Sequence, residues 1–229
     1  GALFIFYKGE NTMKIKFIDG SIKEFENGLS ARDIANSISS SLAKKSVFAK
    51  VNGENYDLTR PIVSDASLEL VTKDSPEALE VLNHSCSHLM ASAIKNLYPK
   101  AMFGVGPAIE EGFYYDVNPG EGIKLTESDL EKIEIEMKRL ANQDLKFERR
   151  EVSKQEALRL FAHDKYKQEI INELDSEAVI TIYQHGDFMD LCRGPHVVST
   201  KLLRFNKLLN ISGAYWRGDS KNEQLQRIY

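Results

Sequence analysis

The first part of the chain alternates apolar and polar residues with a period of two. After Met13, the segments KIKFI and SIKEF flank an Asp-Gly dipeptide, which is typical of tight hairpin turns. Ser30 and Asp33 then form an N-cap pattern before a short helical stripe, and further strands are predicted near residues 47–51 and 68–71. This part of the sequence predicts a small module of strands around a helix, without residues that suggest an active site.

The periodicity changes near residue 74. Ser75 and Pro76 suit the first turn of a helix, and apolar residues at helical spacing follow as far as Leu97. A second amphipathic helix is predicted for residues 126–142, and Ser153, three residues before a glutamate, predicts the start of a third. Strand-like runs lie between and after these helices: LKFERRE, AVITIY and ISGAYW.

This change predicts two domains, residues 13–73 and residues 74–229. The larger domain is predicted to be α+β, with helices on a mainly antiparallel sheet. A length of 229 residues, 42% of them hydrophobic, is enough to build two cores. Residues 1–12, GALFIFYKGENT, have no partner pattern downstream, and we expect them to be a leader or an alternative start outside the fold.

The charge and the cysteine content limit the classes of protein to which this chain can belong. The formal net charge of -4 argues against a uniformly basic surface. The two cysteines, Cys86 and Cys192, follow no signal peptide, and no apolar run reaches the roughly 20 residues that span a membrane. The sequence therefore predicts a reduced, cytoplasmic protein without membrane contact.

One segment departs from the acidic average. Between residues 193 and 218 there is no Asp or Glu, but there are five basic residues: Arg193, Lys201, Arg204, Lys207 and Arg217. Charge alone fits scattered, solvated side chains equally well. The position of the segment beside a cysteine and a histidine favours a polyanion, and we interpret it as a contact to a phosphate backbone.

Two separated pairs of residues carry the strongest chemical signal. His84 and His88 are four residues apart, so they project from the same face of a helix. Cys192 and His196 have the same spacing, but Pro195 between them is incompatible with a regular helix and predicts a loop. If the fold brings the pairs together, they form either a four-ligand zinc site or a metal-free reactive cleft.

Four motifs, taken in order, resemble a known family. HSCSHLMASAIKNLYP, GPAIEEGFYYD, DLCRGPH and GAYWRGDSKNEQLQRIY resemble the editing domain of bacterial-type threonyl-tRNA synthetases. The preceding module resembles the TGS domain of the same enzymes, which implies a small ubiquitin-like β-grasp fold. The resemblance covers Met13 to Tyr229.

The resemblance implies an aminoacyl-tRNA ester hydrolase. Its expected substrate and partner is the acceptor end of tRNA(Thr) carrying serine, with no membrane partner and no cofactor for editing. No motif of an aminoacylation domain is visible, so the chain is expected to be an N-terminal fragment that deacylates but does not charge tRNA. ATP and zinc would then belong only to the absent domain, as would the contacts of a homodimeric parent enzyme.

The resemblance also implies site residues. Those expected to be catalytic are Lys167, His84 and Cys192, and those expected to bind substrate are His88, Tyr115, Asp190 and His196. Within KYK, Lys165 is the alternative to Lys167, and within GFYYD, Tyr114 is the alternative to Tyr115.

Two other functions stay open at this point. Related alanyl-tRNA editing domains use three histidines and a cysteine for zinc, which would make His84, His88, Cys192 and His196 metal ligands of a zinc-dependent hydrolase. The third possibility is a non-catalytic tRNA-binding or regulatory module.

Overall fold

The computed structural model describes residues 11–229 of the protein. Contacts divide the chain into two compact units, with the division between Ala78 and Leu79. No helix in the described range has the length and apolar character needed to cross a membrane. The assignment of residues 13–73 and 74–229 to a TGS-like and an editing domain stays a prediction.

In its described residues, the first unit has five strands and two short helices. Their bounds are β1 (Thr12–Phe17), β2 (Ile22–Glu26), α1 (Ala31–Ile38), α2 (Ser40–Lys45), β3 (Ser46–Val51), β4 (Glu54–Tyr56) and β5 (Ala66–Thr72). Residues 1–10 of the predicted leader lie outside the described residues, whereas Thr12 already pairs with Glu26 in the first hairpin. The assignment of residues 1–12 to a leader or an alternative start stays a prediction.

The strands form one mixed sheet in the order β2-β1-β5-β3-β4. Strands β1 and β5 run parallel, and the other neighbours are antiparallel. Helix α1 begins where the sequence predicted, because the Ser30 hydroxyl accepts the Asp33 N–H and the Asp33 carboxylate accepts the Ser30 N–H. Ile34 and Ala35 on this helix are buried. The predicted β-grasp fold is confirmed.

The second unit is a mixed arrangement of helices and short sheets. Its helices are α3 (Pro76–Leu97, whose first turn precedes the division), α4 (Glu127–Asn142), α5 (Lys154–Leu160) and α6 (Lys165–Asn172). Its strands are β6 (Met102–Phe103), β7 (Ala108–Ile109), β8 (Gly112–Phe113), β9 (Tyr115–Asn118), β10 (Glu148–Ser153), β11 (Val179–His185), β12 (Phe188–Leu191), β13 (Ile211–Tyr215) and β14 (Gln224–Ile228). Two 3-10 turns complete it, Thr200–Leu203 and Trp216–Gly218.

Pairing in this unit is antiparallel, which confirms the predicted α+β class, but it forms more than one sheet. Strands β10-β11-β12 make a three-stranded sheet, β13-β14-β9-β6 make a four-stranded sheet, and β7-β8 make a hairpin. The buried face of α3 includes Leu89, Met90, Ala93 and Ile94. The carboxyl end of β12 and the loop after it lie against α3, and this contact builds the candidate site.

Candidate functional site

The fold brings the two predicted pairs together. His84 and His88 project from α3, and Cys192 and His196 lie on the loop that follows β12, as Pro195 predicted. One ligand atom from each of these four side chains falls in a group whose members all lie within 4.8 Å of one another. His88 and His196 are buried, whereas His84 and Cys192 are partly exposed. Solvent or a ligand therefore reaches the cluster from the side of His84 and Cys192.

The Cys192 sulfur contacts two of the three imidazoles of the cluster. Its distance to His196 Nε2 is 3.2 Å and its distance to His84 Nε2 is 3.5 Å. The backbone N–H of Gly194 donates to the same sulfur at 3.2 Å. The loop thus supplies both the sulfur and one of the groups that hydrogen-bond to it.

Gly194 allows the loop to approach its neighbours this closely. Its φ angle of 72° lies in the left-handed region, and a Cβ atom there would overlap the Tyr183 hydroxyl. The Tyr183 ring packs edge-on against His196, with ring centroids 4.5 Å apart. A side chain at position 194 would therefore displace the residues that carry the sulfur and the imidazole.

A buried charged network lies beside the cluster. The Lys167 ammonium on α6 contacts Asp190 Oδ1 at 2.8 Å and donates to Tyr115 Oη at 2.8 Å and to the Gly104 carbonyl at 2.9 Å. Tyr115 donates its hydroxyl to Asp190 Oδ2 at 2.5 Å. The His88 Nε2 atom is 3.7 Å from that same oxygen, which links the network to the cluster.

This network uses all three ammonium hydrogens of Lys167. Lys167 is 5% exposed and Asp190 is 2% exposed, so each charge depends on the other for compensation. A substrate oxygen bound directly by Lys167 would have to replace one of the three present acceptors. Asp190 is similarly occupied, because the Leu191 N–H also donates to its Oδ1 at 2.8 Å.

Asp164 holds Lys167 in place, and sequence reasoning missed it. One of its oxygens accepts the N–H groups of Tyr166 and Lys167, which caps α6, and the other accepts the Phe103 N–H of β6 at 2.7 Å. Gly104, whose carbonyl accepts from Lys167, is the next residue along the chain. An aspartate directly before KYK is a helix-start signal, and it would have identified α6.

Burial dominates the electrostatics of the site. Removal from water lowers the pKa of His88 and of His196 well below the ordinary value, and neighbouring histidines act in the same direction. Burial, reinforced by the Asp190 carboxylate, raises the pKa of Tyr115 well above its usual range. Burial also lowers the pKa of His84, which Asp190 and Glu80 partly oppose. At neutral pH these histidines are therefore uncharged. In each neutral ring, one nitrogen is a hydrogen-bond donor and the other is an acceptor.

The structure separates the alternatives within the two weaker motifs. Lys165 is exposed and pairs with Glu223 at 2.8 Å, so it does not reach the cluster. Tyr114 lies under the Arg227 guanidinium, with the Arg227 Cζ 4.0 Å from its ring centroid. Lys167 and Tyr115 are the members of each motif that reach the site.

The five basic residues of the predicted tRNA contact are not equivalent. Arg217 contacts Glu169 at 3.2 Å and Glu173 at 2.8 Å, so its charge is compensated within the second unit. Lys207 lies 3.4 Å from a Glu134 oxygen. The remaining members of the set are exposed: Arg193, Lys201 and Arg204.

Comparisons with known proteins agree with the two units. Residues 13–72 match the TGS domain, and residues 180–229 match the threonyl and alanyl tRNA synthetase second additional domain. The chain is 54% identical over 217 residues to a threonine–tRNA ligase of Staphylococcus saprophyticus and 51% identical over 218 residues to one of Enterococcus faecalis. A threonine–tRNA ligase of Staphylococcus aureus is 52% identical over 217 residues.

These alignments cover 95% of this chain but only 33% to 34% of each relative. The chain therefore spans about a third of the length of the curated relatives it matches. One of its segments matches the TGS domain and another matches the second additional domain of threonyl and alanyl tRNA synthetases, and over 95% of its length the chain is similar in sequence to part of bacterial threonine–tRNA ligases.

Proposed function

We propose that this chain hydrolyses the ester of serine mis-attached to tRNA(Thr). The observation that carries the proposal is the convergence of residues from four separate segments of the second unit. The group combines a thiol, three imidazoles and a buried Lys–Tyr–Asp network: His84, His88, Tyr115, Lys167, Asp190, Cys192 and His196. A purely structural core has little use for so many ionisable groups in contact, because burying each of them costs free energy.

One atom in the group supports a ligand contact. His88 Nδ1 is buried and has no hydrogen-bond partner among the described residues. Buried polar atoms without partners are rare in folded proteins, and a ligand is one of the groups that can supply the missing partner. The proposal assigns that contact to the seryl group.

The small difference between serine and threonine explains why such a hydrolase is needed. Serine lacks one methyl group of threonine, and a missing group of this size is worth only about 1 to 3 kcal/mol of selectivity. A threonine site alone would therefore accept serine at a measurable rate. A second site that removes serine after attachment corrects this error.

Each side chain has a chemical role within this proposal. Ester hydrolysis needs an activated water and stabilisation of the oxyanion that forms on the carbonyl. Lys167 supplies positive charge beside the reacting atoms, and the partly exposed His84 and Cys192 lie where an incoming ester would first make contact. In this scheme His88, Tyr115, Asp190 and His196 shape the seryl pocket, and no cofactor takes part.

A deacylation assay tests the proposal. The chain should hydrolyse Ser-tRNA(Thr) much faster than Thr-tRNA(Thr), and a chelator should not change the rate. Equal rates on the two esters would contradict selective editing. Binding of tRNA without hydrolysis of either ester would instead support a non-catalytic tRNA-binding module.

A zinc-dependent hydrolase is the second candidate, and the donor set favours it. One sulfur and three imidazoles are a complete ligand set for zinc, and the sulfur–nitrogen distances of 3.2 and 3.5 Å suit bonds of about 2.0 to 2.3 Å to one central ion. The residues that would hold it are His84, His88, Cys192 and His196. Bound zinc would supply a water of lowered pKa, whereas Lys167 would still provide the charge behind the site.

A further inference from the structure

Ser85 is a buried hydroxyl that contacts the cluster from α3. It is 0% exposed, and it lies between His84 and Cys86 in the sequence. Its Oγ atom is 2.8 Å from His196 Nδ1 and accepts the backbone N–H of Val197 at 3.1 Å. Ser85 belongs to the first of the four quoted motifs, but none of the roles described above is assigned to it.

The hydrogen atoms at Ser85 can be assigned by counting donors and acceptors. A serine hydroxyl has one hydrogen and two lone pairs, and the Val197 N–H occupies one lone pair. If His196 donated from Nδ1, the buried hydroxyl hydrogen would have no acceptor among the described residues, which is costly. If the hydroxyl donates to His196 Nδ1, every polar hydrogen at this point has a partner.

This assignment places the proton of neutral His196 on Nε2. An Nδ1 atom that accepts the hydroxyl hydrogen carries no hydrogen of its own, so the ring hydrogen is on Nε2. The Nε2 atom faces the Cys192 sulfur at 3.2 Å, so it donates to that sulfur, which also receives the Gly194 N–H. Of the two imidazoles in contact with the sulfur, only His84, at 3.5 Å, is then able to accept a thiol proton.

We infer that Ser85 is a positioning residue that holds His196 of the metal-free chain in the Nε2–H tautomer, so that His196 donates to Cys192. The tautomer is a property of the folded chain and does not depend on the proposed function. Only its effect on deacylation rests on that function.

The tautomer of His196 is measured directly by NMR on the 229-residue chain. Long-range proton–nitrogen correlations of ¹⁵N-labelled imidazoles distinguish the Nε2–H from the Nδ1–H form, and loss of one signal set in His196→Asn assigns the ring. We expect the Nε2–H form at neutral pH. A predominant Nδ1–H form overturns the inference.

Ser85→Ala tests the role of the hydroxyl. Loss of one hydrogen bond should lower the ratio of the Nε2–H to the Nδ1–H form by about 3- to 10-fold. Ser87→Ala is the matched control, because Ser87 is equally buried on α3 but donates to the His84 and Gly106 carbonyls rather than to an imidazole. Ser85→Thr restores the hydroxyl and should restore the ratio.

An unchanged ratio in Ser85→Ala would assign the tautomer to another cause and overturn the role of Ser85. If Ser85→Ala does not fold, the spectrum of the unmodified chain still decides the tautomer. Ser85→Cys, which replaces the hydroxyl by a thiol that donates only weakly, then tests whether the hydroxyl matters. Wild-type chain that shows the Nε2–H form but does not deacylate Ser-tRNA(Thr) would contradict the proposed function and leave this inference standing.

Discussion

Lys167 Nζ lies 2.8 Å from Asp190 Oδ1, and the two side chains are only 6% and 2% exposed. Each charge was removed from water when the chain folded, and each is compensated mainly by the other. Tyr115 links the two by accepting from the ammonium and donating to the carboxylate. The site is therefore built on a buried ion pair whose halves cannot be removed independently.

We predict that removing either half of this pair destabilises the second unit strongly. Lys167→Met leaves an uncompensated buried carboxylate, and Asp190→Asn leaves an uncompensated buried ammonium, at a cost of about 3 to 5 kcal/mol each. The double variant should be much less destabilised than the sum of the two. Chemical denaturation of all four proteins measures this coupling, and additive losses would show that the two charges do not compensate each other.

The same pair predicts an effect on deacylation. Loss of the Lys167 charge should lower the rate on Ser-tRNA(Thr) by about 100-fold or more, the scale of one lost electrostatic contribution to the transition state, and tRNA affinity should change little. Lys167→Ala and the double variant Lys167→Met with Asp190→Asn both remove the charge, and the double variant is the better-folded test.

Lys165→Ala is the control for this prediction. Lys165 is exposed and pairs with Glu223 at the surface, so its loss should leave the rate unchanged. A wild-type rate in the folded double variant would remove the lysine from the mechanism, even if the chain still selects the seryl ester.

Local signals explain which elements were predictable from the sequence. Helix α1 was predicted because Ser30 and Asp33 cap it through contacts three residues apart. In helices α3 and α4, apolar residues recur at helical spacing over many residues. This pattern is visible in the sequence without knowledge of any tertiary contact. Strands β6, β7 and β8 have two residues each, and two residues cannot show a period.

The site was predictable only where a motif identified it. By its local pattern, Lys167 in KYK is an ordinary solvated helix lysine, and its burial arises from contacts 23 to 63 residues away in the chain. Ser85 is a small polar residue between two more prominent ones, and its contact with His196 spans 111 residues. Such contacts depend on chain topology, which residue spacing does not encode.

We predict that acid destabilises the second unit before its carboxylates titrate. Burial lowers the pKa of His185 to about 4, compared with about 6.5 in an unfolded chain. Between these values the unfolded chain binds the extra proton, so the free energy of unfolding falls as the pH falls, by at most about 1.4 kcal/mol per pH unit for each proton. His88 and His196 shift in the same direction and add to the slope.

Denaturation between pH 7 and pH 5 measures this slope. His185→Phe, which keeps an aromatic ring beside Phe147 and Phe188, should reduce it by about one proton. His163→Gln is the control, because His163 is exposed and should contribute less. A pH-independent free energy of unfolding in this range would show that these histidines are not held neutral by burial.

We predict that the His and Cys cluster does not need zinc for deacylation. If the Lys167 network supplies the electrostatic stabilisation, elemental analysis of active chain should find clearly less than one zinc per molecule, and a chelator should leave the rate intact. Stoichiometric zinc that is lost together with activity would favour the zinc-dependent hydrolase. Cys192→Ser provides an independent comparison of zinc content. Serine is close to cysteine in volume but is a much weaker zinc ligand.

The last prediction concerns the basic residues between positions 193 and 218. Arg204 is exposed and has no ion pair among the described residues, whereas Arg217 contacts Glu169 and Glu173. A phosphate can pair with Arg204 without breaking an existing contact, but with Arg217 it must compete with two carboxylates. Arg204→Gln should therefore weaken tRNA binding at low salt more than Arg217→Gln, and it should reduce the slope of log affinity against log salt by roughly 0.7 to 0.9, the contribution of one phosphate contact.

Binding isotherms at several salt concentrations measure both the affinity and the slope for each variant. A larger slope change in Arg217→Gln would show that its ion pairs open on binding, and no change in either variant would place the phosphate contacts elsewhere on the chain.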